Sequence, residues 1–184
     1  MKLVRKVDLA RWQELATNVP EDDVSSDFVT APKRNELKTI NNALSLWRFD
    51  PVDCEWQNEA ALVLAGETPD SLSIAWIEEE LVLSAGISVH PSPGVTVFKP
   101  LSDRHVDLVH LGSARLSTLA RFLASAARTD GNFRAFTRDE VLQLFARAIH
   151  ARRVKLPNLP QAIQSAVAPL VASTASRPPD ETPE

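Results

Sequence analysis

The chain has 184 residues, of which 44% are hydrophobic and 24% are charged, and its formal net charge is −4. This length is sufficient for one hydrophobic core, and the apolar content is too high for a chain that stays unfolded. The single cysteine excludes an intramolecular disulfide and a multi-cysteine zinc site, and it favours a reducing compartment. Since neither a secretory leader nor an apolar stretch of about 18–20 residues is visible, we expect a cytoplasmic protein without membrane contact.

Charge is distributed unevenly along the chain. Residues 1–92 carry 8 Lys and Arg against 16 Asp and Glu, whereas residues 93–184 carry 12 against 8. The segment 99–155 alone contains 11 basic and 5 acidic residues. A basic region of this kind suits an acidic protein, a nucleic-acid backbone or the chain's own acidic half, and the sequence leaves these three alternatives open.

The first predicted elements are a helix and an acidic loop. Residues 7–15 predict a short helix capped by Asp8. Residues 18–34 keep no apolar period, which indicates a surface loop. Three acidic residues of this loop form a candidate partner contact: Asp22, Asp23 and Asp27. They lack the central glycine and the later glutamate of an EF-hand, so we do not expect a cation site.

The next segment predicts a hairpin and a helix. Asn41-Asn42 tolerates positive φ angles, which favours a tight turn between strands at 36–40 and 43–49. A helix is then expected from Trp56 to Gly66, with an N-cap at Asp53.

The middle of the chain predicts short strands. Alternating residues indicate a strand at 72–76, and three glutamates begin a short helix that ends at Gly86. Residues 90–94 predict a rigid turn, residues 95–98 an edge strand and residues 105–111 a further strand.

The C-terminal part predicts helices. Ser113 is the expected N-cap of the first, which the turn at 130–132 ends. Thr137 and Glu140 have the spacing of a capping box, and the apolar period after them predicts a helix that reaches Arg152. A last helix follows Pro160.

These elements predict an α+β fold with a small, mainly antiparallel or mixed sheet of four to five strands, packed by five or six helices. We expect one globular domain over residues 1–172, with an α+β core at 35–125 and a helical part at 113–172. The polar residues 173–184 predict a disordered tail.

No pattern typical of catalysis or of cofactor binding is found, and we expect no cofactor. On a strand, His105 and Asp107 face one way and His110 faces the other, so the three do not converge on a metal. Ser113 lacks the flanking glycines of a nucleophile elbow, and Cys54 is interpreted as structural. An enzyme whose site assembles from residues distant in sequence remains a further alternative.

The strongest candidate surface is a cluster of cations near the end of the helix that begins at Thr137. Its members are Arg147, His150, Arg152, Arg153 and Lys155. Cations at this position bind phosphates or an acidic partner, and they also stabilise the helix dipole. The aromatic residues that stack on single-stranded nucleic acid are absent from this stretch.

Three short segments resemble a group of small uncharacterised bacterial proteins. They are Leu37-Lys38-Thr39 with Asn42, Leu44-Ser45 and Trp47-Arg48; Trp76-Ile77-Glu78-Glu79-Glu80; and His105-Val106-Asp107-Leu108-Val109. The resemblance covers about residues 35–125 and implies a bacterial accessory protein encoded beside its partner, with no activity attached.

Two functional hypotheses follow. The first is a non-enzymatic protein that binds a partner encoded nearby, such as an immunity protein, an antitoxin or a subunit of an antiviral defence system. The second is a nucleic-acid-associated protein that uses the basic helix at 137–155. The sequence leaves the oligomeric state open.

Overall fold

A computed structural model gives the structure of residues 1–18, 37 and 39–175. The described strands are β1 (Lys2–Lys6), β2 (Leu44–Phe49), β3 (Leu72–Glu78), β4 (Ser88–Pro91), β5 (His105–Val109) and β6 (Phe133–Phe136). The described α-helices are α1 (Leu9–Asn18), α2 (Trp56–Leu64), α3 (Glu79–Ser84), α4 (Ser113–Arg128), α5 (Arg138–His150) and α6 (Gln161–Ala175). Short 3₁₀ turns lie at Lys99–Arg104 and Leu156–Asn158.

The strands form one sheet in the order β4-β5-β2-β1-β3-β6, and every neighbouring pair is antiparallel. The predicted α+β class is confirmed, but the sheet has six strands where four to five were expected. Three strands of the sheet were not predicted from the sequence: β1, β4 and β6. β1 is central, and its adjacent residues Leu3 and Val4 are both buried, on opposite faces, so the strand shows no apolar alternation.

Helices cover both faces of the sheet. On one face α2, α5 and α6 pack on a cluster that includes Trp76 and Phe136. On the other face α1 and α4 pack on a cluster that includes Leu46 and Leu108. The three-layer arrangement follows from the period of two in a strand, which sends alternate apolar side chains into separate cores.

The asparagine turn forms as predicted, but its hairpin is short. Asn41 and Asn42 have φ angles of 54° and 59°, and Ile40 pairs with Ala43 in an isolated bridge. The strand that follows, β2, pairs with β1 and β5. Of the predicted partner strand at 36–40, the described residues 37, 39 and 40 belong to no strand, and the others lie outside the described residues.

The segment between α3 and β5 differs from its prediction. Residues 90–91, expected in a turn, belong to the edge strand β4, and residues 95–98, expected as an edge strand, lie outside the strands. Edge strands tolerate proline because one side of the strand needs no N–H donor. Gly94 packs so closely that a Cβ atom there would approach the Trp47 ring to 2.8 Å, which fixes the loop against β2.

Helix caps were predicted with mixed success. The Asp8 carboxylate accepts a hydrogen bond from the Arg11 N–H at 3.2 Å, which confirms that cap. Asp53 is not the N-cap of α2, because its carboxylate binds the N–H of Glu55, which takes that position. Ser113 is also not an N-cap: it is the first residue of α4, and Gly112 precedes it without a side-chain cap.

Helix ends also depart from expectation. α5 ends at His150, so Arg152 lies outside it. α6 runs to Ala175 with Pro169 inside it, and therefore enters the segment 173–184 that was predicted to be a disordered tail. Among the described residues, no helix combines the length and the apolar character that crossing a membrane would require.

The capping box of α5 forms as predicted. The Thr137 N–H and hydroxyl bind Oε2 of Glu140 at 2.7 and 2.9 Å, and the Glu140 N–H donates to the Thr137 hydroxyl at 3.2 Å. The hydrogen bond from the Thr137 backbone is the main cause that lowers the pKa of Glu140, followed by the bond from the Thr137 hydroxyl; the charge of Arg134 also lowers it, and burial opposes the shift.

The capping box predicts a pH-dependent stability difference between wild type and Glu140→Gln. The pKa of Glu140 is lower in the folded chain than in the unfolded chain, so its ionised carboxylate stabilises the fold at pH values above the ordinary glutamate pKa. This contribution is lost as the pH falls through the folded-state pKa. Urea midpoints should be lower for Glu140→Gln at pH 7, and the difference should shrink as the pH falls below the ordinary glutamate value of 4.5 and through the folded-state pKa. A pH-independent deficit for Glu140→Gln would contradict the expectation.

Candidate functional site

The cationic segment after α5 is shaped by the way the helix ends. The N–H of Arg152 donates to the Ile149 carbonyl and the N–H of Arg153 donates to the Ala148 carbonyl, both at 2.9 Å. This is the pattern of a Schellman motif, in which the chain leaves the helix through one left-handed residue. That residue is Arg152, with a φ of 57°, where glycine is the usual choice.

Four of the five predicted basic residues are exposed and have no side-chain hydrogen bond or ion pair with the described residues. We call this set the basic tip: Arg147, His150, Arg152 and Lys155. Two of its members lie in the last turn of α5, where a cation stabilises the helix dipole. The other two lie beyond the helix, where that explanation no longer holds.

The fifth predicted residue, Arg153, forms an ion pair with another residue of the chain. Its guanidinium donates to Oε1 of Glu59 on α2 at 2.6 Å. The second carboxylate oxygen of Glu59 lies 3.2 Å from Arg104, which also approaches Asp53 at 3.8 Å. We call these four residues the Glu59 network. It ties the segment after α5 to the acidic half of the chain, which is one of the three alternatives that the charge distribution left open.

A groove between α2 and α5 adjoins the basic tip. It consists of an open depression of about 480 Å³ between α2 and α5 and a second of about 330 Å³ that α5 lines together with Asn58 of α2 and with Arg134 and Phe136 of β6. Three residues line both: Asn58, Leu144 and Arg147. The sequence analysis did not identify this groove, because α2 and α5 lie far apart along the chain and no local pattern signals their packing.

The other histidine and aspartate candidates have structural partners. The His105 ring forms a hydrogen bond through Nδ1 to the Ser92 carbonyl and meets the Trp47 ring edge-on at 5.1 Å. Asp107 accepts a hydrogen bond from the Ser45 hydroxyl at 2.8 Å. His110 was expected on the same strand as His105 and Asp107, but it follows β5 with a φ of 57° and is exposed. Among the residues that the structure describes, no group of three metal-ligating side chains is assembled.

The remaining candidates are a serine, a cysteine and three aspartates. Ser113 is exposed at the start of α4, and Cys54 is exposed in the turn before α2, which corrects its interpretation as a structural residue. Asp22, Asp23 and Asp27 lie outside the described residues, as does the predicted acidic loop beyond residue 18.

Comparison with known proteins identified no relative of this chain. No family model matches the chain, and neither the curated proteins nor the solved structures contain a significant match.

Proposed function

We propose that this chain is a non-enzymatic accessory protein that binds an acidic surface of a partner protein through the basic tip. An immunity protein, an antitoxin and a defence-system subunit are accessory proteins of this type. The observation that carries the proposal is the set of four exposed cationic or imidazole side chains without a partner among the described residues.

The conformation of Arg152 supports a role in recognition. A left-handed conformation costs a non-glycine residue about 1–2 kcal/mol, and glycine would avoid this cost. The Arg152 side chain makes no described contact that compensates for it. The Schellman motif accounts for the left-handed backbone but not for arginine in place of glycine, and backbone strain of this kind is found at binding surfaces.

The amount of available charge favours a protein over a nucleic acid. The Glu59 network occupies Arg153, and Asp139 and Glu140 place acid at the other end of α5. Three Lys and Arg residues of the tip have no partner among the described residues, which corresponds to a salt slope no steeper than about −3 for a duplex ligand. A slope this shallow indicates weaker binding than is usual for a protein that binds nucleic acid. Three cations are, however, sufficient to bind a small acidic patch on a protein.

The proposal is tested by affinity purification from extracts of the source organism. The bait is wild type or a variant in which Arg147, Arg152 and Lys155 are all changed to glutamate. A matched control changes Lys6, Lys99 and Arg121, three other exposed residues, to glutamate, so that both variants have the same net charge.

We expect a stoichiometric protein that is retained by wild type and the control, lost with the tip variant and unaffected by nuclease. Absence of such a protein would contradict the proposal. Material that nuclease releases would instead support the nucleic-acid hypothesis.

Replacing Arg152 by glycine should separate stability from binding. The variant relieves the positive φ and is expected to gain about 0.5–1 kcal/mol in the free energy of unfolding, which raises Tm by about 2–4 °C per kcal/mol for a domain of this size. Binding to the purified partner should weaken. Arg152→Asn, which tolerates the same backbone conformation, should weaken binding equally. Loss of stability in the glycine variant would show that the arginine side chain has a structural role.

A further inference from the structure

We propose that residues 95–97 pair as a short antiparallel strand with the same residues of a second copy of this chain. The segment is Val95-Thr96-Val97, and it lies in the loop between β4 and the 3₁₀ turn at Lys99–Arg104. This inference goes beyond the proposed function and is independent of it, because no residue of the basic tip belongs to this surface.

The segment has the composition of a strand but no strand partner among the described residues. Three consecutive β-branched residues favour a strand, and the sequence predicts an edge strand here. In the part of the chain that the structure describes, the backbone N–H and C=O groups of residues 95–97 form no hydrogen bond. A strand-forming segment with a free backbone is a template for pairing with another chain.

The hydrogen bonds of Gly94 indicate which backbone groups face outward. Its N–H donates to the Ser102 carbonyl at 2.9 Å, and its carbonyl accepts a hydrogen bond from the Ser102 hydroxyl at 2.6 Å. Backbone groups of an extended chain alternate in direction, so those of Val95 and Val97 point away from Ser102. The chain bends at Val97, which confines the pairing to three residues.

The sequence of the segment favours a second copy as the occupant. Val-Thr-Val reads the same in both directions, so antiparallel pairing about Thr96 places Val95 opposite Val97 of the second copy and Thr96 opposite its own counterpart. Each valine pair then exchanges two backbone hydrogen bonds, and a cross-strand pair of threonines is favourable. Pro93 and Pro100 flank the segment and have no N–H to donate, which opposes longer pairings.

The same pairing covers an apolar cleft. The cleft has a volume of about 580 Å³ and lies between the end of α2, the segment 95–97 and the start of α6. Phe145 and Ile163 line it and are at most 2% exposed, whereas Val95 on its rim is 102% exposed. Because cross-strand neighbours lie on one face, Val95 of one copy packs beside Val97 of the other, at the mouth of the cleft.

Charge does not oppose this self-association. The cleft is lined by one acidic and one basic side chain, Glu67 and Lys99. None of the three paired residues is charged, so no like charges lie directly opposite each other, an arrangement that would destabilise the pairing.

The first test is sedimentation velocity of the full chain over a range of concentrations. A contact this small is weak, so we expect a dimer whose fraction rises with concentration. Val95→Asp should abolish the dimer, because it places a charge against Val97 of the second copy. Since the Val95 side chain is exposed, the Tm of this variant in dilute solution should stay within about 2 °C of wild type. The matched control is Val52→Asp, which should dimerise like wild type because Val52 is 88% exposed and lies outside the segment.

The second test is cysteine cross-linking, which examines the register. The variant is Thr96→Cys in a Cys54→Ser background, which removes the exposed native thiol. Opposed residues of an antiparallel pair have Cα atoms about 4.5–5.5 Å apart, within the range that a disulfide spans. With a mild oxidant we expect at least about fivefold more disulfide-linked dimer than from Val52→Cys in the same background.

The negative outcomes are specific. A chain that stays monomeric up to about 1 mM overturns the inference, since a dissociation constant above this value means that no site for a second copy exists. A dimer that Val95→Asp leaves intact overturns it as well, because the contact then lies elsewhere. Equal cross-linking of Thr96→Cys and Val52→Cys excludes the pairing about Thr96.

Discussion

Replacing Phe145 by alanine is expected to lower the free energy of unfolding by about 3–5 kcal/mol, the largest effect of any single change considered for this chain. Phe145 lies on α5, is 2% exposed, and its ring centroid is 6.0 Å from that of Phe98. Truncation removes an aromatic side chain from the core that holds α5 on the sheet and leaves a cavity. Since small proteins have a total stability of about 5–15 kcal/mol, this loss would bring the fold close to its limit.

The measurement is urea unfolding followed by circular dichroism, with Phe122→Ala as the matched control. Phe122 on α4 is only partly buried against the opposite face of the sheet. It loses less contact on truncation, so its cost should be clearly smaller. If both variants lose the same free energy of unfolding, the core between α5 and the sheet contributes less to stability than its burial indicates.

Replacing Glu59 by glutamine is expected to lower the free energy of unfolding by about 1–3 kcal/mol, because two arginines lose the negative charge that they share. The Glu59 side chain is 12% exposed, and Arg104 and Arg153 approach it from different segments of the chain. Partial burial makes this network worth more than a surface ion pair, whose contribution is usually below about 1 kcal/mol.

The Glu59→Gln variant should also change binding. Arg153 would be released beside the basic tip, so the salt slope for an acidic ligand should steepen. Glu55→Gln is the matched control, since Glu55 is exposed at the start of the same helix and its side chain binds only Asn58 among the described residues. Its stability should stay within about 0.5 kcal/mol of wild type. A neutral or stabilising effect of Glu59→Gln would show that the cost of removing these charged groups from water offsets the attraction between Glu59 and the two arginines.

Local sequence rules predicted most of the helices of this fold. The capping box at Thr137 and Glu140, the Asp8 cap and the turn at Asn41-Asn42 all formed because their chemistry operates over a few neighbouring residues. The errors are of the opposite kind. β1 was missed because Leu3 and Val4 are its only apolar residues and lie on opposite faces between charged neighbours, which leaves no alternation, and β6 because it has only four residues.

The same distinction between local and long-range features applies to the candidate site. The sequence by itself determined that cations concentrate after Thr137 and that acid dominates the first half, because charge and spacing are properties of the chain. Only the tertiary structure decided that Arg153 is held by Glu59, that the basic tip has no partner in the part of the chain that the structure describes, and that α2 and α5 enclose a depression beside Arg147. The physical reason is that ion pairs and grooves depend on which distant segments meet, and in this chain that is decided by burial on the two faces of the sheet.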